Sequence, residues 1–87
     1  MKYALDISDK LDRILGKLAR KNKKQLLIIH KKVEEIRKNP YHFKPLRGDM
    51  HGARRVHIGK SFVLTYEIDE SNKVVRLLDY DHHDNVY

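Results

Sequence analysis

The sequence predicts one α+β domain, in which an N-terminal strand and an antiparallel helical hairpin accompany a mostly antiparallel four-stranded sheet. Three observations support this fold class. The chain has 87 residues, which is the size of one domain. Apolar residues recur at helical spacing up to about residue 38, and they alternate with polar residues at strand spacing from residue 53 onward. We therefore treat residues 1–87 as a single domain.

The first strand and the first helix are predicted within residues 2–22. Tyr3, Leu5 and Ile7 alternate along residues 2–7, which suits a short strand or an extended lead-in. Ser8 can cap a helix that follows it, and Asp9 places a negative charge at the positive end of the helix dipole. The apolar stripe of this helix consists of Leu11, Ile14, Leu15, Leu18 and Ala19. This spacing predicts an amphipathic helix that ends near residues 20–22.

A second helix is predicted from about Lys23 to Lys38. Its apolar face contains Leu26, Ile29, Val33 and Ile36, and it is broadened by Leu27 and Ile28. Asn39-Pro40 should end the helix, because a residue before proline is pushed out of the α region. So few residues separate the two helices that they should form an antiparallel hairpin, whose apolar stripes need a sheet to cover them.

Residues 41–53 contain two glycines and a proline, which indicates a connecting loop. Three strands are expected after it: Ala53–Gly59, Phe62–Ile68 and Lys73–Asp81. Lys60-Ser61 and residues 69–72 are short polar connections between them. The last strand carries Val74, Val75, Leu77 and Leu78, so it should be central in the sheet or buried on both sides. On the first of these strands, Arg55 and His57 should face away from Val56 and Ile58.

The formal charge of +7 is divided unevenly along the chain. Residues 1–60 hold 17 Lys and Arg against 6 Asp and Glu, a net +11, and residues 61–87 carry the remaining −4. This asymmetry indicates a polyanionic partner for the first sixty residues. A lysine-rich helix is often only a solvated surface, but strand propensity does not explain Arg54 and Arg55.

Several classes of protein are excluded or disfavoured by what the sequence lacks. It contains no cysteine, so it has no disulfide, thiol nucleophile or thiolate metal site. Neither a membrane-length apolar run nor a signal-peptide pattern occurs, so we expect a soluble cytoplasmic protein with no membrane partner. Phosphate-binding loops, nucleophile elbows and dinucleotide motifs are also missing.

Arginine, histidine and tyrosine remain as the candidates for chemistry, and this inventory suits cleavage of the RNA backbone. The RNA 2′-hydroxyl supplies the nucleophile, so a protein need only move protons and stabilise the charge of the phosphorane. In the tail, His82 and His83 flanked by acids could bind a metal. Adjacent histidines on an extended chain tend to point apart, so we predict no metal site there.

The segments LRGDMHGARRVHIG (46–59), FVLTYEI (62–68) and DHHDNVY (81–87), behind a basic helical hairpin, resemble the RelE/ParE superfamily of toxins. The archaeal RelE-like and YafQ-like members are the most similar. The resemblance implies a compact α/β toxin of a type II toxin–antitoxin system that enters the ribosomal A site and cuts mRNA. It also implies that no metal or cofactor is needed, and that a cognate RelB-like antitoxin silences the toxin, with a toxin–antitoxin heterotetramer as the expected assembly.

Residue roles follow from the same resemblance. Arg55 would stabilise the phosphate charge, His57 would be the base and His83 the acid, while Tyr87 would stack on a base or assist proton transfer. The positions expected to bind RNA phosphates are Lys44, Arg47, Arg54 and Lys60. The chain departs from RelE-type members at Val63, where they place an arginine.

Two alternatives to an mRNA endoribonuclease stay open at this point. One is a ParE-like toxin that acts on DNA gyrase, since ParE shares the fold without the catalytic basic strand. The other is a family member that binds its antitoxin or the ribosome without cutting, which Val63 favours. The combination of His57, His83 and Tyr87 favours RNA cleavage over both.

Overall fold

The computed structural model describes residues 2–43 and 52–85, in which two helices cover one face of a four-stranded sheet. The predicted α+β class is confirmed. In chain order, the elements are β1 (Ala4–Ile7), α1 (Asp9–Lys21), α2 (Lys23–Lys38), β2 (Ala53–Ile58), β3 (Phe62–Asp69), β4 (Val74–His82) and a 3-10 turn (His83–Asn85). No helix in the described ranges combines the length and apolar character needed to cross a membrane.

The helix boundaries agree with the prediction because they depend on local caps. The side chain of Ser8 accepts a hydrogen bond from the backbone N–H of Leu11 (3.1 Å), which satisfies a free donor of the first turn of α1. Asn22 is the single residue between the helices. Its backbone N–H donates to the Leu18 carbonyl at the end of α1, and its side chain accepts from the N–H of Gln25 at the start of α2.

The sheet has the order β1-β4-β3-β2. β1 lies parallel to β4, with Ala4 opposite Val74, and the other two pairings are antiparallel. The expectation that the last strand is central is therefore confirmed. A register shift between Thr65 and Tyr66 interrupts the β3–β4 ladder, and the Ser8 hydroxyl donates to the Leu78 carbonyl at this bulge (2.8 Å).

The core lies between the helices and one face of the sheet. Leu11 of α1 and Ile29, Val33 and Ile36 of α2 pack on the strands, whose buried contributors are Val56, Ile58, Leu64, Tyr66, Val75, Leu77 and Tyr80. Leu27 and Ile28 were expected to broaden the packed face of α2. They instead lie exposed, Leu27 by 62%, because the sheet covers only the narrower stripe through Ile29, Val33 and Ile36.

Candidate functional site

The candidate site is built on β2, which is an edge strand of the sheet. Val56 and Ile58 are buried in the helix-packed core, whereas His57 is exposed and Arg55 is half-buried on the opposite face. The alternation predicted for this strand is confirmed. It arises because successive side chains of a strand point to opposite faces, and apolar residues occupy every second position here.

A pocket of about 440 Å³ opens beside this strand. Its lining comes from three separate elements: Lys32 of α2, His42 and Phe43 of the segment after α2, and Arg55, Val56 and His57 of β2. Arg55 and His57 therefore share a cavity with Lys32 and His42. The sequence did not single out Lys32, because it is one of many lysines on α2 and only the packing of that helix distinguishes it.

The segment that carries His42 is held to the sheet by two hydrogen bonds. The buried Tyr66 hydroxyl donates to the Pro40 carbonyl (2.6 Å), and the Arg54 guanidinium donates to the Phe43 carbonyl (2.6 Å). Burial of its side chain raises the pKa of Tyr66 to about 12, although the nearby Arg54 acts in the opposite direction. Arg54 thus positions one wall of the pocket, and its expected contact with RNA phosphates stays a prediction.

Charge is graded across the face of the sheet that is turned away from the helices. Register places Thr65 between Arg55 and Asp79, and Val63 between His57 and Asp81. In these two rows the cationic and histidine side chains thus lie on β2, uncharged side chains on β3, and carboxylates on β4, whereas in the row of Ala53 Glu67 of β3 pairs with Arg76 of β4. A phosphate is attracted over β2 and repelled over β4. Val63 lies on β3 between these two strands, and its side chain is 0% exposed.

His83 lies at the same end of the sheet as the turn between β2 and β3. Its backbone N–H donates to the Ser61 carbonyl (2.8 Å), and its Nδ1 lies 3.1 Å from the same oxygen. Among the described residues, His83 is not one of those that line the pocket. β4 is two strands away from β2, a separation of about 10 Å at the usual strand spacing. His57 on β2 and His83 in the 3-10 turn after β4 therefore lie at the same end of the sheet, and their joint action on one phosphate stays a prediction.

The premise that His82 and His83 point apart is wrong. Their ring centroids are 4.7 Å apart, and the two rings stack with an angle of 29° between their planes. The reason is local, since β4 ends at His82 and the 3-10 turn begins at His83, so strand alternation no longer applies. Asp84 lies against both rings, and the three residues together could hold a metal ion.

The remaining predicted positions fall into two groups. Lys60 is exposed in the turn between β2 and β3, where a bound polyanion could reach it. Lys44, Arg47 and Tyr87 lie outside the described residues, so their expected roles stay predictions.

The described site therefore contains one arginine, one lysine and two histidines around a pocket, with a third histidine nearby. Such a set can bind a phosphate, stabilise its developing charge and exchange protons.

Comparison with known sequences assigns the chain to a protein family. Residues 5–87 match the family described as ParE-like toxin of type II bacterial toxin–antitoxin system. RelE4 of Methanocaldococcus jannaschii is 52% identical over 85 residues, which cover 98% of this chain and 90% of that protein.

Solved structures share the fold at lower identity. The RelBE2 toxin–antitoxin complex of Mycobacterium tuberculosis contains a chain with a TM-score of 0.79 and 24% identity, which covers 95% of this chain and 100% of its own. The YoeB/ParE toxin of Agrobacterium tumefaciens has a TM-score of 0.84 at 17% identity, over 92% of this chain and 98% of its own.

Proposed function

The chain belongs to the ParE-like toxin family of type II bacterial toxin–antitoxin systems, and we propose that it is a ribosome-dependent endoribonuclease that cuts mRNA and thereby inhibits translation. The family membership confirms the resemblance predicted from the sequence. The observation that carries the proposal is the pocket beside β2, in which Arg55 and His57 meet Lys32 and His42. The 52% identity to RelE4 supports the RelE-like branch of the superfamily.

In the proposed reaction, the 2′-hydroxyl of RNA attacks the adjacent phosphate. His57 removes the proton from that hydroxyl, and Arg55 with Lys32 stabilises the negative charge that develops on the phosphorane. His83 donates a proton to the departing 5′-oxygen, and Tyr87 stacks on a base or assists this transfer. The reaction needs no metal or cofactor, since protein side chains supply both proton transfers and the positive charge.

The ribosome supplies what this small site lacks. A catalytic set on an open sheet face holds its substrate loosely, and a bound mRNA fixed in the A site removes most of the entropic cost of alignment. Lys44, Arg47, Arg54 and Lys60 would contact phosphates of the message or of ribosomal RNA. We place the protein in the cytoplasm, where translation occurs.

A cognate RelB-like antitoxin is the expected partner in the resting cell. The solved RelBE2 neighbour is itself a toxin–antitoxin complex, which supports such a partner here. We propose an acidic, partly disordered antitoxin that folds as it wraps the basic hairpin and the sheet, in a heterotetramer with two copies of each chain. A pull-down that recovers no small acidic protein would count against it.

The central test is mRNA cleavage on translating ribosomes. Wild type should stop growth on induction and produce message ends mapped to the A site. The double variant His57→Ala/His83→Ala should lose both effects, and His57→Ala alone should slow cleavage by about 10²–10⁴-fold, the usual contribution of a general acid or base. His30→Ala, an exposed histidine of α2, is the matched control and should cut like wild type. Absence of both toxicity and cleavage in wild type would refute the proposal.

Two other functions retain a specific observation in their favour. Val63 is buried where RelE-type members carry an arginine, which favours a toxin that binds the ribosome without cutting. Tight ribosome binding with intact mRNA would identify that case. The second alternative is a toxin that inhibits DNA gyrase, because the matching family is described as ParE-like. Inhibition of supercoiling by purified gyrase, with no effect on mRNA, would identify it.

A further inference from the structure

We propose that His82, His83 and Asp84 bind one divalent transition-metal ion, with zinc as the best-matched ion, at the end of β4 and apart from the pocket beside β2. The three residues are consecutive in the chain, where β4 ends and the 3-10 turn begins. One ligand atom from each lies within 4.8 Å of the other two.

The spacing of these atoms suits a zinc ion. Nε2 of His83 lies 3.1 Å from one carboxylate oxygen of Asp84, and Nδ1 of His82 lies 3.4 Å from the other. Tetrahedral zinc holds nitrogen and oxygen ligands at about 2.0–2.2 Å, which places neighbouring ligand atoms about 3.3–3.6 Å apart. The two distances end on different oxygens of the same carboxylate, so each histidine nitrogen already lies near one Asp84 oxygen at about the spacing of neighbouring zinc ligands.

The ring of His83 is also held in the orientation that metal-binding histidines adopt. Its Nδ1 lies 3.1 Å from the Ser61 carbonyl, which can only accept, so Nδ1 carries a proton in that contact. In the neutral ring, the lone pair is then on Nε2, which faces an oxygen of Asp84. Two lone pairs at that distance repel unless a proton or a metal ion lies between them. A metal ligand whose other ring nitrogen donates to a carbonyl is a common arrangement.

His82 is fixed by its own neighbours. Its ring packs edge-on against Phe62, with centroids 5.6 Å apart, and its Nδ1 is placed to accept from the backbone N–H of Asp84 (3.3 Å). An Nδ1 that accepts this bond has its lone pair directed toward Asp84. A metal ion bound here would replace this long hydrogen bond with a coordinate bond.

The ligand set selects the class of metal. Two imidazoles and one carboxylate suit zinc, nickel or copper, whereas magnesium and calcium prefer oxygen ligands alone. Both histidine side chains are about 40% exposed, so the fourth position remains open to water. The chain contains no cysteine that could compete for the ion.

Metal binding has a regulatory consequence that rests on the proposed function. The ion would occupy Nε2 of His83, which is the nitrogen that would otherwise carry the proton for the departing 5′-oxygen. Zinc at the end of β4 should therefore inhibit cleavage while leaving Arg55 and His57 in place.

The binding test uses zinc and the tag-free full chain, with a chromogenic chelator as competitor. Wild type should bind one equivalent of zinc. His82→Ala and Asp84→Asn should each bind about 10–100-fold more weakly, in line with the loss of a ligand or its support. The control His30→Ala should bind like wild type, and circular dichroism should show that all four proteins are folded. Equal zinc affinity in wild type and both site variants would overturn the proposal, as would the absence of binding.

A parallel cleavage assay separates the two proposals. Zinc should inhibit wild type and should lose its effect on Asp84→Asn at the same concentration. If zinc binds at this site but wild type never cuts mRNA, the proposed function fails alone. If mRNA is cut but the site variants bind zinc as wild type does, the metal site fails alone.

Discussion

The hydroxyl of Tyr66 is a buried polar group on which one wall of the pocket depends. Its side chain is 0% exposed, and the hydroxyl donates to the carbonyl of Pro40 at 2.6 Å. Loss of the hydroxyl would leave that buried carbonyl without its partner, which costs roughly 1–3 kcal/mol. Ionisation would be worse, because a phenolate can no longer donate and its charge would be buried.

This burial makes stability sensitive to alkali. The pKa of Tyr66 is raised to about 12 in the folded protein, above its ordinary value of 10.0. Below pH 10 both states are protonated and its contribution is fully present. Between pH 10 and about 12 the unfolded chain ionises first, so up to about 3 kcal/mol of unfolding free energy should be lost.

Urea denaturation of wild type and Tyr66→Phe from pH 8 to 12 measures this effect. The variant should be less stable by about 1–3 kcal/mol at pH 8. The difference should then shrink as the pH rises, because phenylalanine does not titrate and other groups titrate alike in both proteins. A stability difference that stays constant up to pH 12 would show that Tyr66 ionises freely in the folded state.

Among the elements, the helical hairpin depends on one residue for its turn. Asn22 closes α1 through its backbone N–H and opens α2 through its side-chain oxygen. Because it is the only residue between the helices, no neighbouring residue can take over either bond. The geometry of α2, and with it the position of Lys32 in the pocket, follows from this cap.

Replacing the cap should therefore weaken the whole domain. Asn22→Ala removes the acceptor for the Gln25 N–H but keeps the backbone bond, so we expect a loss of about 1 kcal/mol in the free energy of unfolding. Asn22→Ser keeps a side-chain acceptor and should recover most of that loss. Chemical denaturation followed by helical circular dichroism measures both. Equal losses for alanine and serine would mean that the cap bond is not what stabilises the hairpin.

Local signals explain why the helices were predictable and the sheet only partly so. Ser8, Asn22 and Asn39-Pro40 mark helix ends by interactions within four residues, and the strand faces followed from the alternation along β2. By contrast, the parallel pairing of β1 with β4 and the bulge that Ser8 contacts depend on residues about seventy positions apart. The local spacing of apolar residues does not show which distant strands pair or in which register.

At the scale of the molecule, the charge asymmetry of the sequence becomes a gradient across the sheet. β2 carries Arg55 and His57, whereas β4 carries Asp79 and Asp81 in the same rows. Lys10 of α1 reaches Asp79 at 3.1 Å, so that cation is already paired. A single-stranded RNA should therefore follow the β2 edge and avoid the centre of the sheet.

Salt dependence tests this path. Binding of a short single-stranded RNA should weaken linearly with the logarithm of salt concentration, by a slope of about 0.7 per neutralised phosphate. Arg55→Ala and Lys32→Ala should each reduce the slope by about that amount, whereas Lys10→Ala should leave it unchanged. Fluorescence anisotropy at several salt concentrations gives the slopes. A larger change for Lys10 than for Arg55 would place the RNA elsewhere.

The candidate site was predictable only where it lies on one strand. Arg55 and His57 could be named from alternation, but their partners Lys32 and His42 join them through packing of α2 and of the segment that Tyr66 anchors. His82 and His83 were misjudged because strand geometry was applied one residue beyond the point where the strand ends. Both cases involve contacts between elements, which the order of residues does not encode directly.

The parallel pairing of Ala4 with Val74 also bears on the order in which the protein is made. The strand β4 is one of the two central strands and joins β1 to β3, yet it is synthesised after the other three strands of the described sheet. While the chain is still growing, the hairpin of α1 and α2 can form from local contacts, but the sheet cannot close. A ribosome that produces this protein therefore carries an unfinished sheet until translation has passed His82. Any activity that depends on the closed sheet, including the proposed cleavage of mRNA, should therefore be absent until that point.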